Sequence, residues 1–353
     1  MAAKIIINLN KIQENAKEVV EKCKQAAISV AGVTKMHCAD KRISQALLNA
    51  GVAMLADSRI ENLEVLQDFV CEKMLIRIPC ISESESVVRF ADISLNSEID
   101  TVFSLNAAAK KLEKKHGVIL LYDLGDLREG FFDSENLFEA VERILKMEYI
   151  NLRGVGTSLT CYGGILPTVE NLNQLTAVAE TIENRYGINL DIISGGSSTS
   201  YTLVSDCSIP KRINNLRIGD TIYCGRDDST RLHINGMHDD CFILEAEIVE
   251  IKEKPSIPIG QKGYSSLNRK PEFEDKGIRK RVICSVGRQD IDLAMTPFDK
   301  DAFIMEASSD HLLVDITDSS VEYHIGDKMR FKMLYASIMR SFTSKFIKKE
   351  YIG

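Results

Sequence analysis

From residue 28 to about 226 the chain alternates short β-branched runs with amphipathic stretches of helical period, and beyond that point its apolar residues recur at every second position. This change of period constrains the fold more than any single motif does. The segments "ISVAGV" (28–33), "VAMLAD", "KMLIRIP", "DISLNS", "IDTVFSL", "VILLYDLG", "NLRGVGTSL" and "NLDIISGGSS" are expected as strands. Helices are expected over "KIQENAKEVVEKCKQAA" (11–27), "ISQALLNAG", "RIENLEVLQDFV", "NAAAKKLEKKHG", "SENLFEAVERILKM" and "VENLNQLTAVAETIENRYG". Strands that are apolar on both faces and separated by helices require a parallel sheet covered on both sides. Roughly eight of them suit a (β/α)8 barrel of the TIM type, with an open doubly wound sheet as the alternative.

From "CFILEAEIVEIKEKPSIPIG" onward the pattern becomes two-residue alternation, and "KRVICSVG", "DAFIMEA", "HLLVDITD" and "KMRFKMLYA" are expected as successive strands. The predicted architecture is therefore α/β: a barrel over residues 1–226 and a mostly β C-terminal domain over 227–353. The strand at 4–9 is a candidate to pair with that second domain. The stretch "KPEFEDKGIRKR" is expected as an exposed, charged connection. A length of 353 residues, with 44% hydrophobic and 27% charged positions, suits an ordinary globular chain of more than one domain.

A formal net charge of -7 argues against nucleic acid and anionic membrane as partners, because both reward a basic surface. No run of 18 apolar residues is present, and Asn8 and Asn10 interrupt the place where a signal peptide keeps its apolar stretch, so a cytoplasmic protein is expected. The 9 cysteines form no CxxC pair, and Cys80, Cys207 and Cys284 in apolar surroundings suggest reduced core thiols. The 6 histidines show no metal-ligand spacing, so no metal site is expected.

In a barrel, chemistry sits at the C-terminal ends of the strands. Lys35 follows the first barrel strand, where a lysine is able to form a Schiff base with an aldehyde. Asp123 and Arg128 in "YDLGDLREGF", and Thr157, Ser158 and Cys161 in "GTSLTCYGG", stand after later strands. "ISGGSSTSY" (193–201) and "LRIGDTIYCG" (216–225) have the composition of a phosphate cradle, with Arg217 as a fixed positive charge. An aldehyde-reactive lysine early and a phosphate cradle late point to pyridoxal phosphate.

"VAGVTKMHCAD", "DLGDLREGF", "LRGVGTSLTCYGG", "IISGGSSTSY" and "LRIGDTIYCG", in this order and followed by a β domain, resemble the alanine racemase group (fold type III) of pyridoxal phosphate enzymes. Within it the chain is similar to the ornithine racemase branch, on "SGGSS", "INNLRIGD", "GRDDSTR", "KPSIPIGQKG", "FEDKGIRKR", "VGRQDID" and "SSDHLLVDITD". Alanine racemases carry a Tyr four residues after the lysine and a "GYADG" segment, where this chain has Ala39 and "GRQDI". Alanine is for that reason not the expected substrate.

The resemblance implies an amino-acid racemase, acting on ornithine as a head-to-tail homodimer. Lys35 would hold the cofactor and move the α-proton on one face. Arg217 would face the pyridine nitrogen, and Ser197 and Ser198, with the backbone of Gly219 and Asp220, would bind the phosphate. Arg128 would lie near the ring oxygen and substrate carboxylate, and Ser158 falls where alanine racemases place a ring-contacting His. The base on the opposite face is a Tyr followed by Gly in alanine racemases; "PIGQKGYSSL" holds no such pair, which leaves Tyr264, His311, Asp310 and Cys161 as candidates. A carboxylate to read a cationic side chain is sought among Asp123, Asp220, Asp227, Asp290 and Asp310. The alternatives are a racemase of lysine or other basic amino acids, an aldolase or decarboxylase of the same group, a non-catalytic pyridoxal phosphate binder, and a barrel enzyme acting on a phosphorylated metabolite.

Overall fold

The computed structural model describes residues 3–264, 270 and 272–353. Two compact units divide the chain, one of residues 12–238 and one of residues up to 11 together with 239–353. Strand β1 (Ala3–Asn8) belongs to the second unit and leads into helix α1 (Leu9–Gln25).

In the first unit eight parallel strands close a barrel: β2 (Ser29–Val33), β3 (Met54–Asp57), β4 (Glu72–Leu75), β5 (Ile93–Asn96), β6 (His116–Leu121), β7 (Ile150–Gly156), β8 (Ile192–Ser197) and β9 (Asn215–Ile218). The helices that follow them are α2 (Lys41–Asn49), α3 (Ile60–Val65), α4 (Ser84–Phe90), α5 (Ile99–Lys111), α6 (Ser134–Ile144), α7 (Val169–Tyr186), α8 (Tyr201–Ser205) and α9 (Asp220–Cys224). Every residue of β3, β5, β6 and β9 is buried, as a sheet covered on both faces demands. Helix ends follow local chemistry: Asp40 accepts from the N–H groups of Arg42 and Ile43 at the start of α2, while Thr168 and Asn171 form a capping box that opens α7.

One expected strand is helix. Residues 99–105, "IDTVFSL", form the first half of α5, because Val102, Leu105, Ala108 and Ala109 are buried at helical spacing. The eighth barrel strand is instead β9, within the segment expected only as a glycine loop. The expected helix after "VAMLAD" is also shorter, and α4 has no counterpart in the sequence reading.

The barrel interior is chemically divided. Ala31, Val33, Met54, Ala56, Met74, Ile93, Leu95, Ile119, Leu121 and Ile192 form one apolar cluster, contributed chiefly by β2 to β6. Ser194, Asn215 and Arg217 of β8 and β9 are buried too, and the Ser194 hydroxyl donates to Asn215 Oδ1 at 2.7 Å. At Gly154 a Cβ would lie 1.7 Å from the Ile192 carbonyl oxygen, so the approach of β7 to β8 requires glycine.

In the second unit the strands are β10 (Phe242–Pro255), β11 (Ile278–Cys284), β12 (Met295–Pro297), β13 (Phe303–Ala307), β14 (Leu312–Asp315), β15 (Lys328–Met333) and β16 (Lys348–Ile352), with helix α10 (Tyr335–Thr343) between the last two. Their order is β12-β15-β10-β11-β14-β13, and β1 adds to β10 antiparallel and to β16 parallel. Phe242, Leu244, Ala246 and Ile248 of β10 are buried at every second position, which fixes the register. Buried Glu245 ties three strands through Lys4 at 3.1 Å and Arg330 at 2.6 Å.

The units divide at His238/Asp239 rather than at 226/227. Residues 227–238 are held to the barrel unit: Asp227 accepts from Thr202 at 2.8 Å, and the His238 N–H and carbonyl both bond the Asn15 amide at 2.8 Å. Of the thiols expected inside, Cys284 is buried, whereas Cys80 and Cys207 are exposed, the first after β4 and the second in a turn after α8. Among the described residues no helix is long and apolar enough to cross a membrane.

Candidate active site

Strand register brings three loops to one end of the barrel. Ala31 of β2 pairs with Arg217 of β9, and Ser197 of β8 pairs with that same arginine, so the segments after Val33, Ser197 and Ile218 are neighbours. The first carries Lys35, which opens a 3-10 turn (Lys35–His37) and is half-buried. Its backbone seat is built from several sides. The Thr34 hydroxyl donates to buried Asp57 Oδ2 at 2.6 Å, and the Tyr223 hydroxyl donates to the Val33 carbonyl at 2.9 Å. Cys38 and Ala39 then adopt φ of 48° and 55°, a left-handed conformation that costs an L residue roughly 1 kcal/mol or more.

The second and third loops form a donor cradle. The Ser198 hydroxyl oxygen accepts from the Gly219 N–H at 3.1 Å and from the Thr221 N–H at 3.4 Å. Two backbone donors thus converge on the Ser198 oxygen, and together with that hydroxyl they have the chemistry that suits a phosphate. The Asp220 side chain turns away to Arg226, which grips it with Nε at 2.8 Å and Nη2 at 3.3 Å. Burial, with Asp220 as neighbour, raises the Asp228 carboxyl to about 6. The Ser197 hydroxyl contacts Thr199 Oγ1 at 3.3 Å rather than the cradle.

Arg217 lies buried under this end, held by oxygens without charge. Nη1 donates to Ser194 Oγ at 2.5 Å, and Nη2 donates to the Thr157 carbonyl at 2.7 Å and to Ser158 Oγ at 3.3 Å. Burial pushes its pKa down to about 10, which still leaves it cationic at neutral pH.

Arg128 is exposed and paired with Glu129 at 2.7 Å. Its loop is anchored by Asp126, which the sequence reading passed over. Asp126 accepts from the N–H groups of Cys161 at 3.1 Å, Tyr162 at 2.9 Å and Ile165 at 3.2 Å, joining the loops after β6 and β7. Burial raises its pKa, but these N–H bonds outweigh it and hold the carboxyl below its ordinary value. Asp123 is likewise committed to its own turn, accepting from Gly125 and Leu127.

Tyr264 and His311 belong to the β unit and are both exposed. Lys35, Ser158, Ser198, Arg217 and Gly219 are drawn to one end of the barrel. Thr221, Tyr223, His37 and Asp57 join them there without having been singled out in sequence. Thr221 and Tyr223 lie within a quoted motif, but nothing in its spacing separates them from helix-packing residues.

The residues present fit pyridoxal phosphate. The hydroxyls of Thr157 and Thr221 are buried with no hydrogen-bond partner among the described residues, one beside Arg217 and one in the cradle. Acceptor-rich phosphate and a polar ring substituent are what such orphaned donors lack.

A closed barrel that gathers a lysine, a buried guanidinium and an N–H cradle at its strand ends defines an enzyme for a small anionic ligand. Residues 7–227 match the profile of the alanine racemase N-terminal domain. The chain is 45% identical over 351 residues to ornithine racemase of Acetoanaerobium sticklandii, covering 99% of both chains. It is 38% identical to lysine racemase of Thermotoga maritima, covering 99% of this chain and 98% of that one. Its fold matches alanine racemase of Bartonella henselae, solved with covalently bound pyridoxal phosphate, at a TM-score of 0.73 and 18% identity over 100% of both chains. The chain belongs to the alanine racemase N-terminal domain family, and is a pyridoxal phosphate-dependent isomerase of the amino-acid racemase class.

Proposed function

We propose that this chain interconverts L- and D-ornithine, with pyridoxal phosphate bound through Lys35. Full-length similarity to an ornithine racemase carries the substrate assignment. The convergence of Lys35, Arg217 and the Ser198–Gly219–Thr221 cradle supports the site assignment. Bound cofactor supplies an electron sink for the α-carbanion. The Lys35 amine takes and returns the α-proton on one face. Gly219 and Thr221 N–H groups and the Ser198 hydroxyl would hold the phosphate, a fixed anchor beside Lys35. Arg217 stays protonated at neutral pH and offers a ring nitrogen a hydrogen bond without giving up its proton. Limiting electron withdrawal in this way favours return of the proton over side reactions.

The proposal includes a cytoplasmic head-to-tail homodimer, with Tyr264 and His311 of the β unit as candidates for the opposite-face proton donor. Tyr264→Phe and His311→Asn distinguish them, since only loss of the true donor blocks exchange from one enantiomer while sparing the other. The deciding experiment incubates the protein and pyridoxal phosphate with L-ornithine, L-lysine or L-alanine in deuterated water and follows the α-proton by NMR. Exchange with ornithine that vanishes in Lys35→Ala is expected. Exchange that favours lysine would move the assignment to the substrate of the Thermotoga relative, and exchange with neither would overturn the reading.

A further inference from the structure

We infer that His37 and Tyr223 are positioning residues for Lys35, forming a clamp across the base of the turn that carries it. The inference rests on the role proposed for Lys35 and extends it to two side chains that need not touch the cofactor.

Both residues are buried, and their rings meet edge to face with centroids 5.3 Å apart. His37 Nε2 lies 2.9 Å from the Tyr223 hydroxyl oxygen, and that hydroxyl lies 2.9 Å from the Val33 carbonyl. A phenol has one proton and a carbonyl has none, so Tyr223 donates to Val33 and must accept from the ring N–H of His37. This places the imidazole proton on Nε2. The other ring nitrogen, Nδ1, is then an acceptor for the Asp40 N–H at 3.1 Å, a donor shared with the His37 carbonyl at 3.0 Å. The assignment closes without contradiction.

One relay therefore runs from the last residue of β2, through α9 and the 3-10 turn, to the first residue before α2. It spans the turn from Val33 to Asp40, with Lys35 between its two ends. Within the span Cys38 and Ala39 are both left-handed, a conformation that non-glycine residues keep only where surrounding contacts over-determine it. Thr34 is pinned separately to Asp57 on β3, so the relay governs the far side of the turn. The charged groups facing the pair are Asp40 from the cap of α2 and Asp57 from β3. Burial keeps the His37 imidazole neutral and the Tyr223 phenol protonated, which preserves both donors across the neutral range.

The test compares the full-length protein with Tyr223→Phe, His37→Gln and His37→Asn. Glutamine puts its amide nitrogen where Nε2 stands and keeps the bond to Tyr223. Asparagine puts its amide oxygen where Nδ1 stands and keeps only the Asp40 contact. Each protein is loaded with pyridoxal phosphate and measured for borohydride trapping on Lys35, the pH midpoint of the bound-cofactor absorbance, and kcat and KM. Tyr223→Phe and His37→Asn are expected to lower kcat roughly tenfold to a hundredfold through misplacement of the amine, with KM within about twofold. Both should also move the absorbance midpoint, and His37→Gln should recover most of what His37→Asn loses. A role confined to packing would lower the melting temperature of all three and leave the midpoint where it was, which would overturn the inference. Trapping in the wild type with unchanged variants defeats the clamp alone; absence of trapping in the wild type defeats the clamp and the proposed function together. If Tyr223→Phe does not fold, the contrast between the two His37 variants decides.

Discussion

Acidification should destabilise the barrel unit through two buried imidazoles that desolvation keeps neutral, in His37 against the opposing pull of Asp40. Burial pushes His37 and His116 down to about 4 from an ordinary 6.5. A group whose folded pKa is depressed contributes stability that is complete above its unfolded pKa and is lost as pH falls toward the folded one. The window is therefore from about 6.5 down to about 4. At pH 5 the unfolded chain has bound both protons and the folded chain almost none, which costs about 2 kcal/mol per histidine. Asp228, raised to about 6, works the other way and returns about 1 kcal/mol, and buried Asp57 has the same sign. Carboxyls held low, such as Asp126 and Asp227, matter only below their ordinary range. The net loss between pH 7 and pH 5 is about 2 to 3 kcal/mol, a large part of the 5–15 kcal/mol that holds a typical domain together. Urea unfolding at both pH values and constant ionic strength reads it directly. The double variant His37→Gln, His116→Gln should lose little or gain slightly over the same interval, since only the aspartates still titrate. A double variant that loses as much as the wild type would refute the assignment of this slope to the buried imidazoles.

Three further outcomes follow from contacts at the strand ends. Asp126→Asn should expose the amides of Cys161, Tyr162 and Ile165 to faster hydrogen exchange, because an amide group cannot accept at both positions; the expected cost is about 1–3 kcal/mol. Gly154→Ala should yield no folded protein, since its Cβ would meet the Ile192 carbonyl at 1.7 Å and neither strand can retreat; a soluble variant with native circular dichroism would contradict this. Arg226→Gln removes the cation that pairs the Asp220 carboxylate and should weaken pyridoxal phosphate binding about tenfold in equilibrium dialysis, with Asp220→Asn restoring it in the double variant.

Strand and helix alternation was legible wherever a segment had one dominant period, and this was enough for the barrel and the β unit. It failed at 99–105, where Ile99, Val102, Phe103 and Leu105 satisfy a short apolar run and a helical face equally, and only continuity with the following helix decides. β9 escaped because four residues with a buried arginine and asparagine do not look like a core strand. The polar half of a barrel interior is invisible to a hydrophobicity pattern for the same reason. Lys35, Ser198, Gly219 and Arg217 stood out because they follow apolar runs and combine into one chemistry. Asp126, His37 and Tyr223 did not, since their importance lies in which backbone groups they bond across 35 to 190 positions of chain, or across a turn whose shape only the fold determines.

Arg217 connects stability to function most directly. Among the described residues its guanidinium is met by three oxygens of neutral groups, so the desolvation of a full charge is only partly offset by hydrogen bonds. Its depressed pKa expresses the same deficit. A site of this kind is held at a cost that a bound aromatic nitrogen or anion reduces, so cofactor should stabilise the barrel beyond what its contact area alone provides. Replacing the arginine by methionine removes the buried charge and keeps most of the volume; substitutions of that type are commonly neutral or stabilising. Arg217→Met without cofactor is accordingly expected to melt no lower than the wild type without cofactor. Saturating pyridoxal phosphate, at about a hundredfold over its dissociation constant, should add about 2.7 kcal/mol to the wild type and distinctly less to the variant at the same concentration. A variant that is severely destabilised on its own yet gains as much from cofactor would show that the arginine is a structural strut of β9, and that the strain in the barrel's polar half lies elsewhere.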